Sequence, residues 1–112
     1  MKLKMNFLKR IPQVAVANYF RSNAVPANIF SDILKAFATS AKSSIDLCLM
    51  HNFLIGLSSS LKFDLTLKEA TDEDIENIKI LVERIRSVNY AKGDELEYFY
   101  VKRRKYALYD NK

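Results

Sequence analysis

The sequence predicts an α+β fold, with three to four helices packed on a small, mostly antiparallel sheet that ends in a C-terminal β-hairpin. Three observations predict it. Apolar residues recur at spacings of three and four over 71–88, they alternate with polar ones over 61–68, and aromatic and β-branched residues concentrate in 95–109. With 112 residues, 49% hydrophobic, and only two glycines and two prolines, the chain reads as one ordered domain over 1–112 rather than a linker or tail.

Met1, Leu3, Met5 and Phe7 alternate with Lys2, Lys4 and Asn6, the period of a half-buried strand. The competing reading is a mitochondrial transit peptide, because residues 1–31 hold no acid and five bases (Lys2, Lys4, Lys9, Arg10, Arg21). The strand is preferred, since only two of those bases are arginine. Pro12 opens a short helix over 13–22, with Val16, Tyr19 and Phe20 as its contact residues. Pro26 starts a second helix to about Ala41, with Ile29, Phe30, Ile33, Leu34 and Phe37 on one face.

Ser43 or Ser44 caps a third helix from Ile45 to about Leu57, apolar around nearly its whole circumference and therefore central. It is too short, and too interrupted by Asp46, His51 and Asn52, to span a membrane. Leu61, Phe63, Leu65 and Leu67 then alternate with Lys62, Asp64, Thr66 and Lys68, predicting a strand with one face in the core.

The clearest element is the helix Thr71–Val88. Ile75, Ile78, Leu81, Val82, Ile85 and Val88 form its apolar stripe, and Thr71 with Asp74 three residues on makes a capping pair. Acids fill the first turn and Arg84 and Arg86 the last, both favourable to the helix dipole. Asn89 and Gly93 are the stop signals, and Ile80 alone breaks the pattern on the polar side as a partner-contact candidate. Glu95–Val101 and Tyr106–Tyr109 read as a hairpin around Lys102-Arg103-Arg104-Lys105. A helix through Leu96, Phe99, Tyr100, Arg103 and Tyr106 is the alternative.

Charge runs basic, acidic, basic. Residues 1–63 hold eight bases and two acids, 64–97 five and ten, 98–112 five and one. A polyanion would therefore meet one face built from the two ends rather than the whole surface. The lone Cys48 forms no internal disulfide, which fits a reducing, cytoplasmic setting, with a mitochondrial one as the alternative. Cys48 and His51, three apart in the most apolar segment, read as a buried structural pair rather than a nucleophile or metal site. The acids Asp72, Glu73, Asp74 and Glu76 lack the glycine and spacing of a calcium loop. No glycine-rich phosphate loop exists, and nothing in the spacing of Glu69, Asp94 or Glu97 marks a catalytic set. No metal, cofactor or enzymatic activity is expected.

The best candidate site is the basic-aromatic cluster: Lys102, Arg103, Arg104 and Lys105 with Tyr98, Tyr100 and Tyr106. Five of the six tyrosines lie between Tyr90 and Tyr109. Lysine and arginine neutralise phosphates, and tyrosine rings stack on bases. At the tip of a hairpin this cluster resembles the wing of a winged-helix DNA-binding domain, with Asp72–Val88 in the place of the recognition helix. The pattern departs from that family in the acidic helix start, and in the short 67–71 link, which has no room for a preceding helix and turn. Ser43-Ser44-Ile45-Asp46 with Phe63-Asp64-Leu65 is loosely similar to acyl carrier proteins. The acid before the serine is missing and the preceding region is basic, so no carrier role is assigned.

The sequence thus predicts a small non-enzymatic nucleic-acid-associated or regulatory protein. The alternative is a protein interaction module, either a complex subunit or an inhibitor or immunity-type binder of one partner. A homo-oligomer fits either, and a membrane partner fits neither.

Overall fold

The computed structural model describes residues 11–21 and 23–109. Among them there is no strand; the fold is all-helical. The helices are α1 (Gln13–Tyr19), α2 (Ala27–Ser40), α3 (Ser44–Ser58), α4 (Phe63–Lys68), α5 (Asp72–Val88), α6 (Tyr90–Glu97) and α7 (Arg103–Tyr109). A π-helical turn, Tyr98–Lys102, joins α6 to α7, so 90–109 is one continuous rod. The expected α+β class, with its sheet and C-terminal hairpin, is therefore corrected. The expected N-terminal strand over 1–7 lies outside the described residues.

The segment read as a strand, 61–68, is largely α4. Phe63 and Leu67 stand four apart, share one helical face, and are both fully buried; Leu61 and Leu65 are exposed. The predicted hairpin is the second half of the helical rod. Its aromatic residues follow the core rather than a pleat: Leu96 and Tyr100 point inward while Tyr98 points out. Tertiary packing overrides the β propensity of Tyr98-Phe99-Tyr100-Val101.

The remaining helices match their predicted places. Pro12 and Pro26 are the N-cap residues of α1 and α2, one position before their expected role as first helical residues. In α1 Val16 is buried and Phe20 just beyond it half-buried, but Tyr19 is exposed. Ser43 caps α3, its hydroxyl accepting from the Asp46 N–H at 3.1 Å. Phe30, Ile33, Leu34 and Phe37 bury the inner face of α2. The carbonyls of Ala38 in its last turn and of Ala41, its C-cap, accept from Arg84 Nη1 at 2.7 and 3.1 Å, which satisfies groups a helix end leaves open.

The capping box of α5 forms as expected. The Thr71 hydroxyl accepts from the Asp74 N–H at 3.1 Å, and the Asp74 carboxylate accepts from the Thr71 N–H at 3.0 Å. That carboxylate also accepts from the Ser31 hydroxyl at 2.9 Å, which ties α5 to α2 and explains how a charged side chain lies buried there.

α3 is the centre, packed against α1, α5, α6 and the π turn, while α2 lies on α5 and α4 on α7. Three hydrogen bonds lace the α1–α2 connection to the α3–α4 region. The Leu61 N–H donates to Arg21 O at 2.9 Å, the Ser60 hydroxyl to Asn23 O at 3.1 Å and the Thr66 hydroxyl to Val25 O at 3.2 Å.

α5 and α6 are joined through Asn89 alone. It ends the first helix, with its N–H donating to Ile85 O, and caps the second, with its side chain accepting from the Lys92 N–H at 3.1 Å. Gly93, expected as a stop, lies inside α6 instead. A Cβ at Gly93 would stand 2.6 Å from Arg86 Cβ and 2.8 Å from Arg86 Cα, so only glycine lets the two helices approach this closely. Gly93→Ala should therefore lower stability by about 1–3 kcal/mol, the usual cost of overpacking. The check is urea unfolding, read as a lower midpoint at an unchanged slope.

Candidate nucleic-acid interface

The predicted site residues lie along the π turn and α7, and burial divides them. Tyr100 is fully buried. Its ring stacks on Phe30 (centroids 6.2 Å apart) and meets Phe63 edge-on (5.1 Å), and its hydroxyl donates to Leu54 O. Burial holds its phenol well above the ordinary range. Arg103 is likewise committed to the fold. Its Nε donates to Asp64 at 2.8 Å, its Nη1 to Ser58 O at 2.8 Å, and its guanidinium lies over the Phe63 ring at 5.2 Å. These contacts pin α7 to α4 and to the end of α3.

The other members face outward. Tyr98 is 55% exposed and Tyr106 65% exposed. Lys102 and Lys105 are exposed and make no ion pair with the described residues, and Arg104 is half-buried. The structure thus brings Tyr98, Lys102, Lys105 and Tyr106 onto the outer side of one helix and removes Tyr100 and Arg103 from it. The winged-helix likeness is corrected at the same time, because the described residues, 90–109 included, hold no hairpin to form a wing.

Ile80 is 41% exposed on α5, as its position off the apolar stripe implies. Lys62, exposed just before α4, neighbours Asp64, the carboxylate that holds Arg103. The sequence carried no signal for Lys62 beyond its polar place in the misread alternation.

Cys48 and His51 both lie on α3, and of the two only His51 is buried. His51 is 5% exposed, with Nε2 2.7 Å from Glu95 Oε1 but off the line of a well-formed hydrogen bond. Neither ring nitrogen has an aligned partner among the described residues. Burial lowers its pKa, and Lys92 adds to that; Glu95 and Asn52 oppose it. Cys48 is a half-buried free thiol. Asp94 and Glu97 converge on Arg86 at 3.1 and 3.3 Å as an ion-pair cluster with Glu83. Among the described residues no three His, Cys, Asp or Glu side chains are grouped to hold a metal ion, and no helix is long and apolar enough to cross a membrane. No family model, curated protein or solved structure matches the chain.

His51 gives the fold a pH dependence with a definite sign. Its folded pKa lies below the unfolded value near 6.5, so the unfolded chain binds the proton more readily. The stability from neutral His51 is fully present above about pH 6.5 and is lost as pH falls from there through the lowered folded value. Because His51 is the only histidine, the urea midpoint should fall between pH 7.5 and pH 5, and His51→Leu should flatten that fall.

Proposed function

We propose that this chain is a small, non-enzymatic nucleic-acid-binding or regulatory protein that holds a polyanion on the outer face of its C-terminal helix. One observation carries the reading. Lys102 and Lys105 stand exposed and free of ion pairs with the described residues, beside the exposed rings of Tyr98 and Tyr106. A lysine with no carboxylate partner keeps its full charge for a phosphate, and its counterions are released on binding. Among the described residues, Asp64 is engaged by Arg103, and Asp94 and Glu97 by Arg86. The acidic start of α5 takes no part in this surface; Asp74 is spent in the capping box and Glu73 pairs with Lys35 at 3.3 Å.

A second reading rests on a different surface. Leu61 is 79% exposed, and Leu65, four residues on, is also exposed. Two leucines held in water beside the α3–α4 turn suit a protein partner, which would make the chain an interaction module.

The test is an electrophoretic shift with DNA and RNA across a salt series. Lys102→Ala with Lys105→Ala should weaken binding and reduce the slope of log affinity against log salt by about 1.4–1.8, two phosphate contacts' worth. Arg103→Ala is the contrasting variant, expected to lower stability because it removes the α4–α7 clamp. Equal binding by the double lysine variant and the parent would remove the assigned face. Stable co-purification with one protein through Leu61 and Leu65, with no affinity for nucleic acid, would establish the second reading instead.

A further inference from the structure

Resting on the polyanion-binding reading above, we infer that the ligand is single-stranded nucleic acid, held with bases stacked on Tyr98 and Tyr106 and its backbone on Lys102 and Lys105. The argument begins with helical phase. In an uninterrupted α-helix, residues eight apart are separated by about 80° around the axis. The π turn at Tyr98–Lys102 absorbs one extra residue, so Tyr98 and Tyr106 stand as residues seven apart would, within about 20° of one line. Lys102 lies between them along the axis but about 40–60° to one side of that line, and Lys105 lies about 60° further round on the same side. Asp94 continues the same stripe toward the N-terminus, where it pairs at 3.1 Å with Arg86, a guanidinium it shares with Glu83 and Glu97.

The two rings are about 11 Å apart along the helix. That is more than three times the 3.4 Å rise of a stacked strand, so both rings engage one strand only if it is extended and unstacked between them. Exposed rings separated by ammonium groups suit such a strand, because every unpaired base offers a π face and the intervening phosphates meet the lysines. A duplex hides its base faces and would use the lysines alone.

The distinguishing property is therefore the tyrosine contribution. Both rings are exposed and neither hydroxyl makes a hydrogen bond to the described residues; the Tyr98 ring also meets the Phe99 ring edge-on at 5.1 Å, so Tyr98→Ala removes that contact while leaving the buried core side chains in place. The decisive experiment is fluorescence anisotropy on the full chain with a labelled 15-nucleotide oligo-dT and oligo-U, and with a 15-base-pair duplex, at 50 and 200 mM salt. Circular dichroism confirms that each variant is folded.

The expected result is single-strand binding at least tenfold tighter than duplex binding. Tyr98→Ala and Tyr106→Ala should each cost about tenfold on the single strand and leave duplex binding unchanged. Tyr98→Phe with Tyr106→Phe, which keeps both π faces, should retain parental affinity. Equal single-strand and duplex binding, lost on the lysine changes but not the tyrosine changes, overturns the single-strand inference and leaves the polyanion reading standing. Absence of binding to either form at 50 mM salt overturns both, as does capture of a protein partner without nucleic acid. Loss of affinity in the phenylalanine pair points to the hydroxyls and overturns the stacking assignment.

Discussion

The burial of Tyr100 is the constraint on which the rest of this molecule depends. One side chain joins four elements: its own π turn, α2 through Phe30, α4 through Phe63, and α3 through the Leu54 carbonyl. A phenol is too polar to enter a core unaccompanied, and the bond to Leu54 O removes the penalty of desolvating its hydroxyl. The long C-terminal rod is therefore part of the core rather than an appendage to it. Everything on its outer surface, Tyr98 and the lysines included, is oriented by a residue pointing the opposite way.

This arrangement divides one run of sequence into two tasks. Lys102, Arg103, Arg104 and Lys105 are adjacent and alike in charge, yet the helix gives them unlike surroundings. Arg103 turns inward, where its planar fork can bond a carboxylate and a carbonyl while its face covers Phe63. A lysine there could satisfy only part of that geometry. Lys102 and Lys105 turn outward, where a compact charge on a flexible stem suits a mobile polyanion. At Lys102, Arg103 and Lys105 the choice of arginine or lysine matches the direction in which the helix points the side chain.

Local signals were legible in the sequence, and long-range ones were not. Thr71, Asp74 and the apolar stripe of α5 are all decided within a few residues of one another, so the capping box and the helix could be read directly. The same holds for Ser43 and for the inner face of α2. The 61–68 segment misled because Phe63 and Leu67 satisfy an alternating pattern and a four-residue helical spacing at once. The exposure of Leu61 and Leu65 and the burial of Thr66 separate the two. The rod at 90–109 reads from the sequence only as the alternative to a hairpin, although Gly93, Leu96, Tyr100 and Ala107 recur at helical spacings of three, four and seven, because the β propensity of its aromatic run favours strands. The split within the basic cluster had no local signal at all, because the partners of Arg103 are Asp64 and Ser58, 39 and 45 residues away.

Asn89 carries a consequence for how the length of this chain can vary. A connection of one residue has no slack, and both ends of that residue are spoken for by the helices it separates. One additional residue would swing α6 by about 100° about its axis, carrying Gly93 off Arg86 and turning Tyr100 away from Phe30. Insertions and deletions at this joint are thus as damaging as substitutions in the core, although the position itself is exposed. Asn89 acts as the index mark of a dial. Set where it is, it places one ring inside the protein and leaves its neighbours on the surface.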